Sequence, residues 1–404
     1  MSETQGFPRP VLAINAGSSS LKVRAFGPGQ QDHDLLVERI GEDAGALLKL
    51  NGRVIPGGPL TDHDEALTRV LEILLDEQWL DPANPPAVVG HRVVHGGDNF
   101  TNATRIDAQN LPRLRELSGL APLHNPVAVG CIEHLRAALP EVPQVAVFDT
   151  AFHGNLPPAA RYYALPADLC RQHGIRRYGF HGISVSAITR MVAEHLQRPA
   201  SELNLIVAHL GSGASMTAVR AGRSVETSMG FTPLEGLVMG SRCGDIDPAI
   251  LTYLQTKAGL EPAQLDELLN HQSGLRGVCG DNDLRTIHQR ADAGDESARL
   301  ALELFVHRIR KYLGAYTAVL GRVDVLAFTA GIGEHDARIR AAVCADLDGL
   351  GYVVDEQANQ SPEIRGGAIH DSRSRTRILV IPADEEHEIA RQALETIRSE
   401  GETT

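Results

Sequence analysis

INAGSSSLKV, residues 14–23, closes one apolar run, turns at Gly17 and the serines that follow it, and opens a second run at Leu21. Apolar and β-branched residues on both sides of a Gly/Ser tip predict two strands, Val11–Ile14 and Lys22–Phe26, joined as a hairpin. Such a tip turns backbone N–H groups into a small concavity, which favours an anion such as phosphate. Taken alone it reads more readily as an ordinary turn, because Gly and Ser are common turn residues. A second copy changes the balance. LGSGASMTAVRA, Leu210–Ala221, aligns with INAGSSSLKVRA, Ile14–Ala25, and strands Leu203–Leu210 and Ser215–Val219 are expected around its turn. The match suggests a duplicated domain with an anion-holding hairpin in each half.

Outward from the first hairpin, apolar periodicity predicts a helix over Glu65–Leu80, a strand over Ala87–Val94, a helix over Pro126–Leu139 and a strand over Gln144–Phe148. Outward from the second, a cycle beginning near Arg161 contains a long helix, Ser297–Leu320. There Phe305, Ile309, Leu313, Tyr316 and Leu320 recur at helical spacing and mark a buried stripe. The strand Val323–Phe328 follows at once. With 404 residues, 43% hydrophobic content and 39 glycines, this α/β alternation has apolar material for two or three domains.

The charge balance, 51 acidic against 38 basic residues and a formal net charge of −13, argues against nucleic acid or an anionic membrane as partner. A small anionic ligand would need cations gathered locally. Met1–Pro10 shows no basic segment followed by an apolar one, and no apolar run approaches the roughly 18 residues of a membrane span, so a cytoplasmic location is expected. The cysteines, at 131, 170, 243, 279 and 344, have no CxxC or metal-like spacing and read as reduced, mostly buried thiols.

GxxxxGK[ST] occurs in neither turn, and no strand-linked GxGxxG supports a Rossmann site. Two α/β halves, each with a phosphate hairpin, instead resemble the actin, Hsp70 and sugar kinase architecture. That is a ribonuclease H-like fold of two similar lobes with the nucleotide cleft between them. The sequence resembles one family in particular. INAGSSSLK, GHRVVHGG (Gly90–Gly97), APLHNP (Ala121–Pro126), FDTAFH (Phe148–His153), YGFHGIS (Tyr178–Ser184), AHLGSGAS (Ala208–Ser215), SMGFTPLEGLVMGSRCGDIDP (Ser228–Pro248) and FTAGIGEH (Phe328–His335) are similar to the acetokinase family of short-chain carboxylate kinases. The resemblance runs in order from about residue 11 to about residue 395.

It implies reversible transfer of the ATP γ-phosphoryl group to acetate, or to propionate or butyrate in close relatives, giving an acyl phosphate and ADP. The residues suit this chemistry. A carboxylic acid titrates near pH 4, so the nucleophile is already an anion and no strong base is required. Positive charge is the need, because a metaphosphate-like group passes between two anions. By resemblance Arg92 binds the carboxylate, His181 and Arg242 stabilise the transition state, and Asp149 orients substrate or metal. Arg92 and Arg242 can fork onto anions, and His181 can donate to an equatorial oxygen. Asn15 and Glu385 are assigned to Mg2+, with Mn2+ as an alternative. Hard oxygen donors, few of them from protein, suit that ion. Val94, Leu123, Phe180 and Pro233 are assigned to the acid's alkyl group. The ATP or ADP site maps to Lys22, to His209, Leu210, Gly211, Ser212 and Gly213, to Asp283, Leu284 and Arg285, and to Gly331, Ile332, Gly333, Glu334 and His335. Ser212, His335 and Asp384 stand where the family usually has Asn.

One lobe is expected over residues 1–156 with a C-terminal return at 384–404, and the other over 157–383. NLPPAARYY (Asn155–Tyr163) is a hinge candidate for lobe closure that expels water from the site. The resemblance implies a homodimer through the second lobe. An Hsp70- or actin-like ATPase would share the hairpins without needing Arg92, His181 and Arg242 around a carboxylate. A sugar or polyol kinase would need a catalytic base and polar groups for hydroxyls.

Overall fold

The hairpin at the head of the chain forms as two antiparallel strands, β1 (Val11–Ala16) and β2 (Ser20–Phe26), with Asn15 opposite Lys22 and Ala16 opposite Leu21. The computed structural model describes residues 7, 9–27, 32–42, 45–56, 58–81, 83–362 and 367–401. Most of the opening decapeptide, whose lack of a leader pattern was noted above, therefore lies outside the described residues. Contacts group the chain into two units, Met1–Phe152 with Asp384–Thr404, and His153–Ala383.

In the first unit the hairpin extends through β3 (His33–Glu38), β4 (Leu47–Leu50) and β5 (Arg53–Ile55). On its other side come β6 (Val88–Val93), β7 (Thr104–Arg105) and β8 (Gln144–Phe148), giving the order β5-β4-β3-β2-β1-β6-β8-β7. β6 runs parallel to both β1 and β8. β8 is buried along its whole length, as a parallel strand covered on both faces should be. The second unit holds β9 (Asn204–Leu210), β10 (Ala214–Arg220), β11 (Arg223–Thr227), β12 (Val325–Thr329) and β13 (Arg377–Val380) in the order β11-β10-β9-β12-β13. Directions match as well as order. β9/β10 and β10/β11 are antiparallel, while β9/β12 and β12/β13 are parallel, as in β3-β2-β1-β6-β8.

The duplication therefore lies in topology, and the residue-by-residue alignment of the two hairpins does not hold. Val23 pairs with Ile14, whereas its aligned partner Val219 pairs with Leu205. Residues 17–20 form the first tip and residues 211–213 the second, so the tips differ in length. Register makes Asn15 the counterpart of His209, and Lys22 that of Ser215.

Helices cover the sheets where their apolar faces dictate. His63–Asp76, capped by Asp62, stops short of the expected Leu80. Trp79 and Leu80 are buried through a chain reversal at Gln78 instead (φ 58°), which satisfies the same apolar pattern without a further helical turn. Glu296–Leu320 begins at the cap Asp295, and its stripe of Phe305, Ile309, Leu313, Tyr316 and Leu320 is buried. Each such side chain contributes roughly 2 kcal/mol of burial. The final helix, Glu385–Gly401, lies over β6 and β1 of the first unit. Gly90 permits that approach, since a Cβ there would stand 2.8 Å from Ile389 Cγ2. The division between the units falls between Phe152 and His153, just ahead of the Pro-rich segment Asn155–Tyr163. Pro158–Arg161 is a short helix inside the second unit, its Ala160 and Arg161 carbonyls held by Arg177.

Candidate active site

In the first unit the carboxyl ends of three neighbouring strands bring Asn15, Arg92 and Asp149 together, the position at which open α/β sheets hold ligands. Arg92 donates through Nε and Nη2 to Asp149, with Nη2 to Oδ2 at 2.7 Å, and through Nη1 to Asn15 Oδ1 at 3.0 Å. A guanidinium has five N–H groups, so one on Nη1 and one on Nη2 remain beyond these contacts. Asn15 Nδ2 donates to Glu386 Oε1 at 3.0 Å, and Lys22 Nζ pairs with Glu386 Oε2 at 2.8 Å.

The charges interlock. Burial lowers the Arg92 pKa, but Asp149 and Glu385 outweigh it and hold the group above its ordinary value. Burial pushes the Glu385 carboxyl up to about 7, with Asp149 and Glu386 adding to the effect and Arg92 and Lys22 opposing it. Burial also acts upward on Glu386, yet Lys22 and the Asn15 hydrogen bond prevail and its pKa falls. Both glutamates open the last helix, where the helix dipole favours anions. Sequence reasoning passed over Glu386, because in ADEEHEIA nothing separates it from Glu385. Lys22, assigned to nucleotide by resemblance, has its ammonium engaged by Glu386. Val94 is buried, whereas Leu123 is 58% exposed. Asp384, in place of the family's Asn, accepts from His387 N and from Arg24 Nη1, capping the helix and adding an ion pair.

In the second unit His181 precedes the helix Gly182–His195 in the left-handed region, φ 58° and ψ 20°. A residue other than glycine held there costs about 1–3 kcal/mol. Its ring stacks on His209 with centroids 4.1 Å apart, and its Nδ1 lies 3.0 Å from Ser215 Oγ. His209 Nδ1 lies 2.8 Å from Ser184 Oγ. Arg242 reaches the same place from the loop 236–245. Built on Gly213, a Cβ would stand 3.6 Å from both Arg242 Nη1 and His181 Nε2. The Arg242 guanidinium contacts the Pro233 carbonyl at 3.4 Å and Met239 Sδ at 3.9 Å, and among the described residues no carboxylate pairs with it. Burial lowers its pKa accordingly. Phe180 is buried and Pro233 half-buried.

The remaining nucleotide assignments fall on the second unit. Leu210 is buried, and the turn Gly211–Gly213 is tied through the Ser212 carbonyl to Gly240 N at 3.1 Å. Asp283 caps Leu284–Asp292 and pairs with the exposed Arg285, while Leu284 turns into the core. Gly331, Ile332, Gly333, Glu334 and His335 lie on the short helix Ala330–His335 after β12. Buried Arg340 holds that helix by donating to the Gly333 and Glu334 carbonyls. A Cβ on Gly331 would meet nothing within 4 Å. His335 borders a cavity of about 470 Å³ shared with Met191, His195 and Ile381.

Comparison with known proteins identifies the family. The profile of the acetokinase family matches residues 10–391. Acetate kinase of Sulfurovum sp. (strain NBC37-1) is 47% identical over 385 residues, covering 95% of this chain and 97% of that one. Acetate kinase of Streptomyces griseus is 46% identical over 402 residues, covering 98% of each. Among solved structures, Porphyromonas gingivalis acetate kinase superposes with a TM-score of 0.89 at 38% identity, covering 96% of this chain and all of its own (100%). A propionate kinase from Francisella tularensis gives 0.88 at 38% identity, covering 96% and 99%. The class is thus a phosphotransferase with a carboxyl group as acceptor, built on two α/β units of one topology. The chain belongs to the acetokinase family.

Proposed function

We propose that this protein transfers the γ-phosphoryl group of ATP to acetate, reversibly, giving acetyl phosphate and ADP, with the named residues in the roles below. One observation carries the reading: Arg242 is a partly buried cation without a carboxylate partner among the described residues, and its Nη1 converges with His181 Nε2 on the space over Gly213. A desolvated, uncompensated guanidinium favours an anion strongly, and the one this reaction supplies is the phosphoryl group in flight. Arg92 has a different part. Asp149 already balances its charge, so it orients more than it attracts, and the N–H groups left on Nη1 and Nη2 take the substrate carboxylate. The acid is ionised near neutral pH and attacks without a base.

Asn15 and Glu385 would hold Mg2+, or Mn2+ in its place. The donors are hard oxygens, and Glu385 sits among like charges that a divalent cation would relieve. Bound there, the ion supplies charge neutralisation to phosphate oxygens. Gly211–Gly213, Asp283–Arg285 and Gly331–His335 would bind ATP. Val94, Leu123, Phe180 and Pro233 are the residues that the family resemblance assigns to the acid's alkyl group.

The test is acyl phosphate itself. With MgATP, acetate and hydroxylamine, acetate-dependent hydroxamate is expected, and Arg242→Leu should abolish it while ATP binding persists. An unaltered rate in that variant removes Arg242 from the mechanism. Propionate is a second acceptor to weigh, because a propionate kinase superposes on this chain as well as an acetate kinase does. One methylene is worth only about 1–3 kcal/mol in an apolar pocket, so a rate series with acetate, propionate and butyrate decides. A cytoplasmic location is supported by five cysteines that form no disulfide, four of them buried. Among the described residues no helix is long and apolar enough to cross a membrane. Self-association through the second unit is supported by Ile246, Ile250 and Tyr253, apolar side chains exposed close together in sequence; sedimentation velocity measures it.

A further inference from the structure

The side chain proposed to meet the phosphoryl group, Arg242, stands on a loop whose two ends are sewn together by one carboxylate. Asp245 Oδ1 accepts from Gly236 N at 2.8 Å, and Asp245 N donates back to the Gly236 carbonyl at 3.0 Å, so residues 236 and 245 form the neck of the loop. From the helix Glu296–Leu320, Tyr312 Oη donates to Asp245 Oδ2 at 3.0 Å. Arg308 straddles the neck, donating through Nη1 to the Gly236 carbonyl at 2.9 Å and through Nη2 to the Asp245 carbonyl at 3.1 Å. The neck has no slack. A Cβ on Gly244 would stand 2.3 Å from the Leu237 carbonyl.

Beyond the neck the loop is fixed by its backbone. Met239 N donates to the Arg242 carbonyl at 3.1 Å, Leu275 N to the Met239 carbonyl at 2.9 Å, and Gly240 N to the Ser212 carbonyl at 3.1 Å. Among the described residues Arg242's own side chain has only the two weak contacts described above, so its aim depends on the loop beneath it. A misplacement of about 1 Å in a group that stabilises a transition state can cost about a hundredfold in rate.

We propose that Asp245, fixed by Tyr312 and Arg308, is a positioning residue that aims Arg242 at the transferring phosphoryl group. The proposal rests on the reading of Arg242 given above. Asp245→Asn keeps an acceptor for Gly236 N but weakens the hold of Tyr312 and Arg308. Tyr312→Phe removes a single hydrogen bond and leaves the neck itself closed.

The experiment compares Asp245→Asn, Tyr312→Phe, Arg242→Ala and the two double variants with the parent enzyme, by steady-state kinetics on the full chain with MgATP and acetate. In the parent background kcat should fall tenfold or more for Asp245→Asn and severalfold for Tyr312→Phe, with KM for ATP within about twofold of the parent. In the Arg242→Ala background, whose residual turnover is read at high enzyme concentration, both effects should vanish, because a residue that acts only by aiming Arg242 has nothing left to aim. Losses that multiply with that of Arg242→Ala overturn the positioning role and leave Arg242's role standing. A parent-like kcat in both single variants also overturns it. A parent-like kcat in Arg242→Ala removes the reading of Arg242 and the proposal with it. Should Asp245→Asn fail to fold, Tyr312→Phe decides by the same comparison.

Discussion

His181 occupies a left-handed backbone position that few residues other than glycine adopt, and Ser215 stands beside its ring, 3.0 Å from Nδ1. Ser215 is fully buried on β10, directly across the hairpin from His209. That hydroxyl and the stacked His209 ring both contact the imidazole, so they help set which way it faces and whether Nε2 would meet an anion over Gly213. Ser215→Ala removes one hydrogen bond, worth about 1 kcal/mol. A drop in kcat of about tenfold is expected, with little change in melting temperature. Steady-state rates at saturating acetate measure it, and an undiminished kcat would mean that His181 is oriented without the Ser215 hydroxyl.

Loops and short helices carry most of the candidate site, and two glycines separate folding from binding at this level. Gly274 adopts φ +61° where a Cβ would stand 2.2 Å from the Met239 carbonyl, against the loop that carries Arg242. Gly274→Ala should therefore destabilise the chain by at least about 2 kcal/mol, read as a lower urea midpoint. Gly331 is the opposite case, exposed on its helix with open space around a new methyl group. Gly331→Ala should melt at the parent temperature or slightly above it, since alanine favours helix. KM for ATP should nonetheless rise, because the methyl would intrude on the nucleotide proposed to bind at Gly331–His335. A parent-like KM for ATP would take that segment out of the nucleotide site.

For the molecule as a whole, buried histidines set an acid limit in both units. His91 Nε2 donates to Gln144 Oε1 at 2.8 Å, and His153 Nε2 donates to the Phe180 carbonyl at 3.0 Å. Burial lowers each imidazole from 6.5 to about 4, partly opposed by these hydrogen bonds and, at His153, reinforced by Arg177. The unfolded chain thus takes up protons first, so stability is whole above about pH 6.5 and drains away as the pH falls towards 4. The loss is of the order of 3 kcal/mol for each group. Urea unfolding between pH 7.5 and 4.5 should show it, and His91→Gln should flatten the curve; an unchanged slope in that variant would assign the loss to other groups. Much of this architecture was legible in the chain. Strong local periodicity gave both hairpins, the alternation of strand and helix, and the stripe from Phe305 to Leu320, because apolar spacing reports which face of an element is buried. The motifs carried the family. What the sequence could not convey was pairing across long separations: which partner Lys22 takes, that Glu386 joins Asn15 to Lys22, that Asn15 rather than Ala13 corresponds to His209, and that Asp245 closes the loop bearing Arg242. Local chemistry fixes what a segment tends to become, whereas register, ion-pair choice and the aim of a side chain depend on contacts that exist only once distant segments have packed.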